Sequence, residues 1–278
     1  MIPSPPPRPD LQGPAPVPGI HPAGRPGPFA RDGLARAERV TWSWLEAIGL
    51  FFVGNVLIGQ VLVLGLFLAL SGVQRVEDLA GSMQVLATIL VDVVFAAVMV
   101  GWLARRHPGW LRRLGLPGPG AWGRAIAWGA GMGVLLYPAI AIVVGVPLTL
   151  LFEAVSGRTV TTPEQLPQHL STMGKALSVV LAVAVAPPTE ELFFRGLLFR
   201  SIRDRLGFWP GALISAVLFG LAHYVPAPWP DAVLLQTVMI FTGLGLAWIY
   251  ERRGTIVANT AAHMVFNVVG LLLILGRL

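Results

Sequence analysis

Apolar stretches, each closed by a short polar or Pro/Gly-containing break, recur from Leu45 almost to the end of the chain. A helix rises 1.5 Å per residue and membrane hydrocarbon is about 30 Å thick, so about 20 apolar residues suffice to cross it. The pattern predicts spans at Leu45–Leu70, Met83–Leu103, Ala125–Phe152, Ala176–Phe199, Phe208–Tyr224, Ala232–Tyr250 and Thr255–Leu275. The expected fold is an all-α, polytopic transmembrane bundle of about seven spans. Residues 43–175 would carry the first three spans and residues 176–278 the last four.

Composition excludes the main alternative. Of 278 residues 55% are hydrophobic and 12% charged, and the mean hydropathy is +0.71. Soluble domains carry about 25% charged residues, so an ordinary soluble enzyme is ruled out. The absence of cysteine rules out a disulfide scaffold and any thiolate metal site.

The basic balance, 20 Lys+Arg against 14 Asp+Glu, is topological. Arg8, Arg25, Arg31, Arg36 and Arg39 precede the first span, and Arg105, Arg106, Arg112, Arg113 and Arg124 fill the second loop. Arg200, Arg203 and Arg205 lie in the fourth loop and Arg252 and Arg253 in the sixth. The opposite side holds only Arg75, Arg158, Lys175 and Arg277. Positive charge concentrates on the cytoplasmic side, so the N-terminus is expected there and the C-terminus outside. The charge suits anionic lipid, and no nucleic-acid partner is expected. Arg in nearly every basic position suggests a G+C-rich coding sequence and a bacterial inner membrane.

Residues 1–42 hold eleven of the 24 prolines, which favours extended backbone and predicts a disordered cytoplasmic tail. It has no apolar h-region and is not expected to be a signal peptide. Trp110–Leu114 is expected to lie at the membrane interface.

An ionisable group at the bilayer centre costs about 2.5–3.5 kcal/mol or more, so each one within a span needs a reason. Glu46 is a turn from the edge and can reach water; Asp92 is isolated and could brace a helix or serve chemistry. Glu191 and Arg195 have the four-residue spacing of a same-face ion pair. Glu190 stays unexplained, because adjacent residues of a regular helix point about 100° apart.

Depth arithmetic gives Glu190 company. It lies sixteen residues before Leu206, and His223 lies sixteen after Gly207, so a hairpin turning there holds the two level. His263 and Asn267 lie roughly 14 and 20 Å from the Gly254 turn, and Glu190 on the order of 15 Å from Arg200. One Glu, two His and one Asn therefore share a stratum of the membrane. A Glu can act as general base, a His can ligate metal or hold water, and an Asn amide can donate to an oxyanion. Glu190, His223 and His263 also make a His2Glu zinc set. Metal-bound water and water polarised directly by Glu and His remain equal alternatives at this level.

Three motifs sharpen the picture: Glu190-Glu191-Leu-Phe-Phe-Arg195 (EExxxR), Phe219-Gly-Leu-Ala-His223 (FxxxH) and His263-Met-Val-Phe-Asn267 (HxxxN). In this order they resemble the CPBP intramembrane protease family, which includes type II CAAX prenyl endopeptidases and Abi-type bacterial proteins. The resemblance covers about Ala176 to Gly270 and departs from none of the three motifs. It implies a membrane metalloendopeptidase acting on a peptide or membrane-associated protein. Glu190 and His223 would activate water, while His263 and Asn267 would bind metal or stabilise the oxyanion. Glu191 and Arg195 would support the first motif, and Phe219 would pack or line the cavity. The implied cofactor is a divalent metal, with zinc first, although a metal-free glutamate mechanism has also been argued for the family. A non-catalytic binding, immunity or scaffold protein and a proton-coupled transporter are the rival readings.

Overall fold

The computed structural model describes residues 33–34, 37–163, 165–167 and 170–275, and the described residues contain helices and no strand. Helix α1 runs through Trp44–Leu50, a π-helical stretch Phe51–Leu64, and Gly65–Ser71. Helix α2 is Gly81–Arg106. Helix α3 comprises Trp122–Ile140, a π stretch Ala141–Gly145, and Val146–Ser156. Helix α4 (Thr172–Leu206) alternates Thr172–Val179, π Val180–Val185, Ala186–Glu190, π Glu191–Phe199 and Arg200–Leu206. Helices α5 (Phe208–Ala222), α6 (Asp231–Arg253) and α7 (Ile256–Leu275) follow. Among the described residues six of the seven are long and apolar enough to cross a membrane, and the chain is a multi-pass integral membrane protein. The seventh, α5, has 15 residues and spans only about 22 Å, less than the roughly 30 Å of membrane hydrocarbon.

Local chemistry sets these elements. Ser43 and Glu46 form a capping box at the start of α1, which gives Glu46 a structural purpose beyond reaching water. Its carboxylate accepts from the Ser43 N–H at 2.7 Å, and its own N–H donates to Ser43 Oγ at 3.2 Å. Pro187 and Pro188 interrupt α4 because each lacks the N–H that a regular helix needs, and the chain answers with π stretches on both sides. The expected interfacial segment forms one helical turn, Trp110–Arg113.

Helix contacts in lipid rely on small residues that let backbones approach. Gly129 and Gly133 on α3 lie against α7, where a Cβ on either would overlap the backbone oxygen of Ala258 or Ala262. Gly54 and Gly59 do the same for α1 against Phe95 and Val91 of α2, and Gly243 of α6 lies on Ala216 of α5. Gly129→Val is therefore expected to destabilise the bundle by about 1–3 kcal/mol. A lower melting midpoint in detergent would register this, and an unchanged midpoint would refute the close α3–α7 approach.

The Arg-rich end is tied together by polar groups that reach across elements. Arg200 donates to the carbonyls of Glu38 (2.8 Å) and Arg113 (3.0 Å) and to Asp204 (3.2 Å). Arg203 forks onto Glu251 of α6 at 2.9 and 2.7 Å. The Val40 N–H donates to Asp204 at 2.9 Å, and Trp42 Nε1 donates to the carbonyls of Gly196 and Leu197. The expected boundary of the tail at residue 42 is thereby corrected. Leu34, Val40 and Trp42 are buried, because apolar side chains this close to the bundle gain more by packing on α4 than by staying in water. The remainder of the proline-rich tail lies outside the described residues.

His107, just past the end of α2, sits in this layer with its Nδ1 2.8 Å from the Thr41 hydroxyl. Burial lowers its pKa from the ordinary 6.5, with Arg113 and Arg106 adding to the effect against the opposing pull of Glu46. The native state thus binds fewer protons than the unfolded state, and this contribution to stability is lost as pH falls through and below 6.5. The melting midpoint is expected to drop over that interval, and to drop less in His107→Gln.

Candidate active site

Three elements meet around Glu190. It is the last residue of the short α-helical piece Ala186–Glu190 of α4, immediately before the π stretch. His223 closes the C-terminus of α5, and its Nδ1 donates to the Phe219 carbonyl at 2.8 Å, one turn back on its own helix. His263 lies in α7 with its Nδ1 2.8 Å from Glu191 Oε1. Each imidazole thereby commits Nδ1 to a hydrogen bond and presents Nε2 toward Glu190. Both Nε2 nitrogens face the same atom. Glu190 Oε2 is 3.9 Å from His223 Nε2 and 3.7 Å from His263 Nε2. The level placement expected for Glu190, His223 and His263 is present in the structure.

The expected Glu191–Arg195 pair is also present, at 2.9 Å, with both side chains fully buried. It does more than pair. Glu191 Oε1 accepts from both Arg195 and His263, and Glu191 Oε2 accepts from the Asn259 amide. Arg195 also donates to the Gly243 carbonyl of α6 at 3.2 Å, and its guanidinium lies 4.4 Å over the Phe219 ring. Phe219 is buried between Arg195 and the two imidazoles, whose centroids lie 4.4 Å (His223) and 5.8 Å (His263) from its own. It packs the site rather than reacting.

Two adjacent glutamates thus serve one ring, Glu190 at Nε2 and Glu191 at Nδ1 of His263. On a regular helix neighbouring side chains diverge by about 100°. The change from α to π register falls between these two residues, which is how the chain brings both to one imidazole.

Asn267 lies one turn beyond His263 on α7 and is tied to the backbone of α4. Its Nδ2 donates to the Ala182 carbonyl at 2.8 Å. In the five-residue register of the preceding π stretch, that oxygen is the one Pro187 cannot serve, so Asn267 fills a gap left by proline. Asp92 of α2 is half-buried. Asn259 is the site residue that the sequence reading passed over. Its signal was there, since Asn259, His263 and Asn267 recur every fourth residue along one face of α7.

The donor types of Glu190, His223 and His263 are ones zinc accepts. Among the described residues, however, no group of three His, Asp or Glu side chains is gathered closely enough to hold a metal ion.

Comparison with known proteins falls on the same part of the chain. Residues 172–269 match the family model described as type II CAAX prenyl endopeptidase Rce1-like. The matched segment runs from α4 into α7 and so contains the residues that meet around Glu190, with Asp92 on α2 outside it. The chain is also 28% identical over 93 residues to the "Putative membrane peptidase YdiL" of Bacillus subtilis (strain 168). That stretch is 33% of this chain and 34% of the relative, so the chain spans about a third of the relative it matches. No solved structure matches significantly.

Proposed function

We propose that the chain is an intramembrane endopeptidase of the CAAX-protease type, hydrolysing a peptide bond within the bundle near its Arg-rich, cytoplasmic side. The observation that carries this reading is the convergence of two imidazole Nε2 atoms on Glu190 Oε2, at 3.9 and 3.7 Å, at mid-depth in an apolar bundle. A water between them is held by acceptors on two sides, which leaves its lone pair directed at a substrate carbonyl. Glu190 takes the water proton as the oxygen attacks, with His223 fixing the orientation of the water. Glu190 then hands that proton to Nε2 of His263, 3.7 Å away. Glu191 on Nδ1 balances the charge of the imidazolium so formed, whose Nε2–H supports the oxyanion and delivers the proton to the leaving amine as the C–N bond breaks. Asn267 has a second amide proton beyond the one given to Ala182, directed to substrate backbone.

The metal alternative places a divalent ion, zinc first, on Glu190, His223 and His263. It requires those three side chains to draw together, and no step above depends on it. Metal analysis of purified protein, with His223→Ala and His263→Ala beside wild type, separates the two forms of the mechanism. The orientation with the N-terminus cytoplasmic and the bacterial inner membrane as location belong to the same proposal.

Reconstituted protein should cut membrane-anchored peptides bearing C-terminal CAAX sequences, with the new terminus identified by mass spectrometry. A cellular phenotype fully preserved in Glu190→Ala, with no cleavage by wild type, would instead establish a binding or scaffold role.

A further inference from the structure

The structure assigns Asn259 as a positioning residue of the site: its amide holds the Glu191 carboxylate in the orientation that keeps the His263 proton on Nδ1 and its Nε2 lone pair toward Glu190. This rests on the hydrolytic reading above.

Asn259 is fully buried on α7, four residues before His263 and on the same face. Its Nδ2 donates to Glu191 Oε2, while its own Oδ1 is buried with no hydrogen-bond partner. A residue selected for packing alone would be apolar here, since a buried unpartnered carbonyl is unfavourable and α7 is otherwise rich in Ala, Val and Leu. The amide is retained for one contact.

That contact completes the set around Glu191. A carboxylate has two oxygens, and Oε1 is already shared by Arg195 and His263. With Oε2 unheld, the carboxylate turns about its last bond toward the Arg195 guanidinium, and the imidazole loses its fixed acceptor. Neutral imidazole then distributes its proton between both nitrogens. A proton on Nε2 removes the lone pair that faces Glu190, so the ring can no longer take the proton that Glu190 hands on. The logic is that of an outer hydrogen-bond partner fixing the tautomer of a functional histidine.

The test uses full-length protein in detergent and liposomes, comparing wild type with Asn259→Leu, which fills the space without a donor, and Asn259→Ser as a smaller second variant. Cleavage kinetics are expected to show kcat lowered about 10- to 100-fold with KM within about twofold, the range seen for outer partners of functional ligands. Nitrogen-15 spectra of histidine-labelled protein, with the His263 signal assigned by its loss in His263→Ala, should show the Nδ1–H form in wild type and added Nε2–H form in both variants. A purely structural Asn259 would lower stability and leave the tautomer of the folded fraction unchanged. Wild-type kcat with an unchanged His263 spectrum overturns the assignment. Absence of cleavage by wild type itself, with the tautomer shift still present, overturns the hydrolytic reading while leaving Asn259 as the residue that orients Glu191.

Discussion

Glu190→Gln is expected to lower kcat by about 10²–10⁴-fold while the protein folds and melts as wild type does. The two halves of that expectation have separate physical sources. Gln matches Glu in shape and keeps an oxygen near both imidazoles, but it cannot accept a proton from water at neutral pH. Glu190 is partly accessible, with its side chain 24% exposed, and among the described residues its ion-pair partners are the two histidines, at 3.7 Å or more. Little of the fold depends on its charge. A loss of cleavage accompanied by unfolding would make Glu190 a structural residue, whereas wild-type cleavage by the variant would remove the general base from the mechanism.

Arg195→Met has the opposite profile, a large loss of stability. Arg195 is fully buried and joins α4 to α6 through Glu191 and the Gly243 carbonyl. Removing one member of a buried ion pair leaves the other charge without compensation, an effect of about 3–5 kcal/mol. The Glu191 carboxylate would retain His263 and Asn259 but lose the guanidinium that pairs with it. Replacing both members, as in Glu191→Gln with Arg195→Met, should recover part of that loss, because no lone charge stays buried. Melting midpoints of the three variants in one detergent decide the matter. Equal stability of wild type and Arg195→Met would show that the pair contributes nothing to the bundle.

The sequence carries the outline of the site because regular helices make depth a matter of counting. Glu190 and His223 could be levelled before any coordinates, since a turn at Leu206–Gly207 joins their helices almost directly. Counting fails where the helix is not regular. Pro187 and Pro188 were visible, yet the register change between Glu190 and Glu191 depends on how neighbouring backbones accommodate them. The double service of His263 by both glutamates was hidden for that reason. Depth and the HxxxN motif mark Asn267, while its acceptor, the Ala182 carbonyl, is free only because of the π stretch before Pro187. Asn259 carries no charge, so the cost of burying charge in a membrane does not mark it. Hydropathy likewise gives seven apolar segments without showing that α5 stops short and leaves His223 at a helix end.

The central claim is that Glu190 and His223 act on one water as a unit. Residues that act as a unit lose their contributions together, so the second substitution adds little once the first is made. Single-turnover cleavage in liposomes by Glu190→Gln, His223→Ala and the double variant measures this directly. The expected result is a double variant no slower than about threefold below the weaker single variant. Losses that multiply, or a Glu190→Gln single variant that cleaves at the wild-type rate, would contradict it.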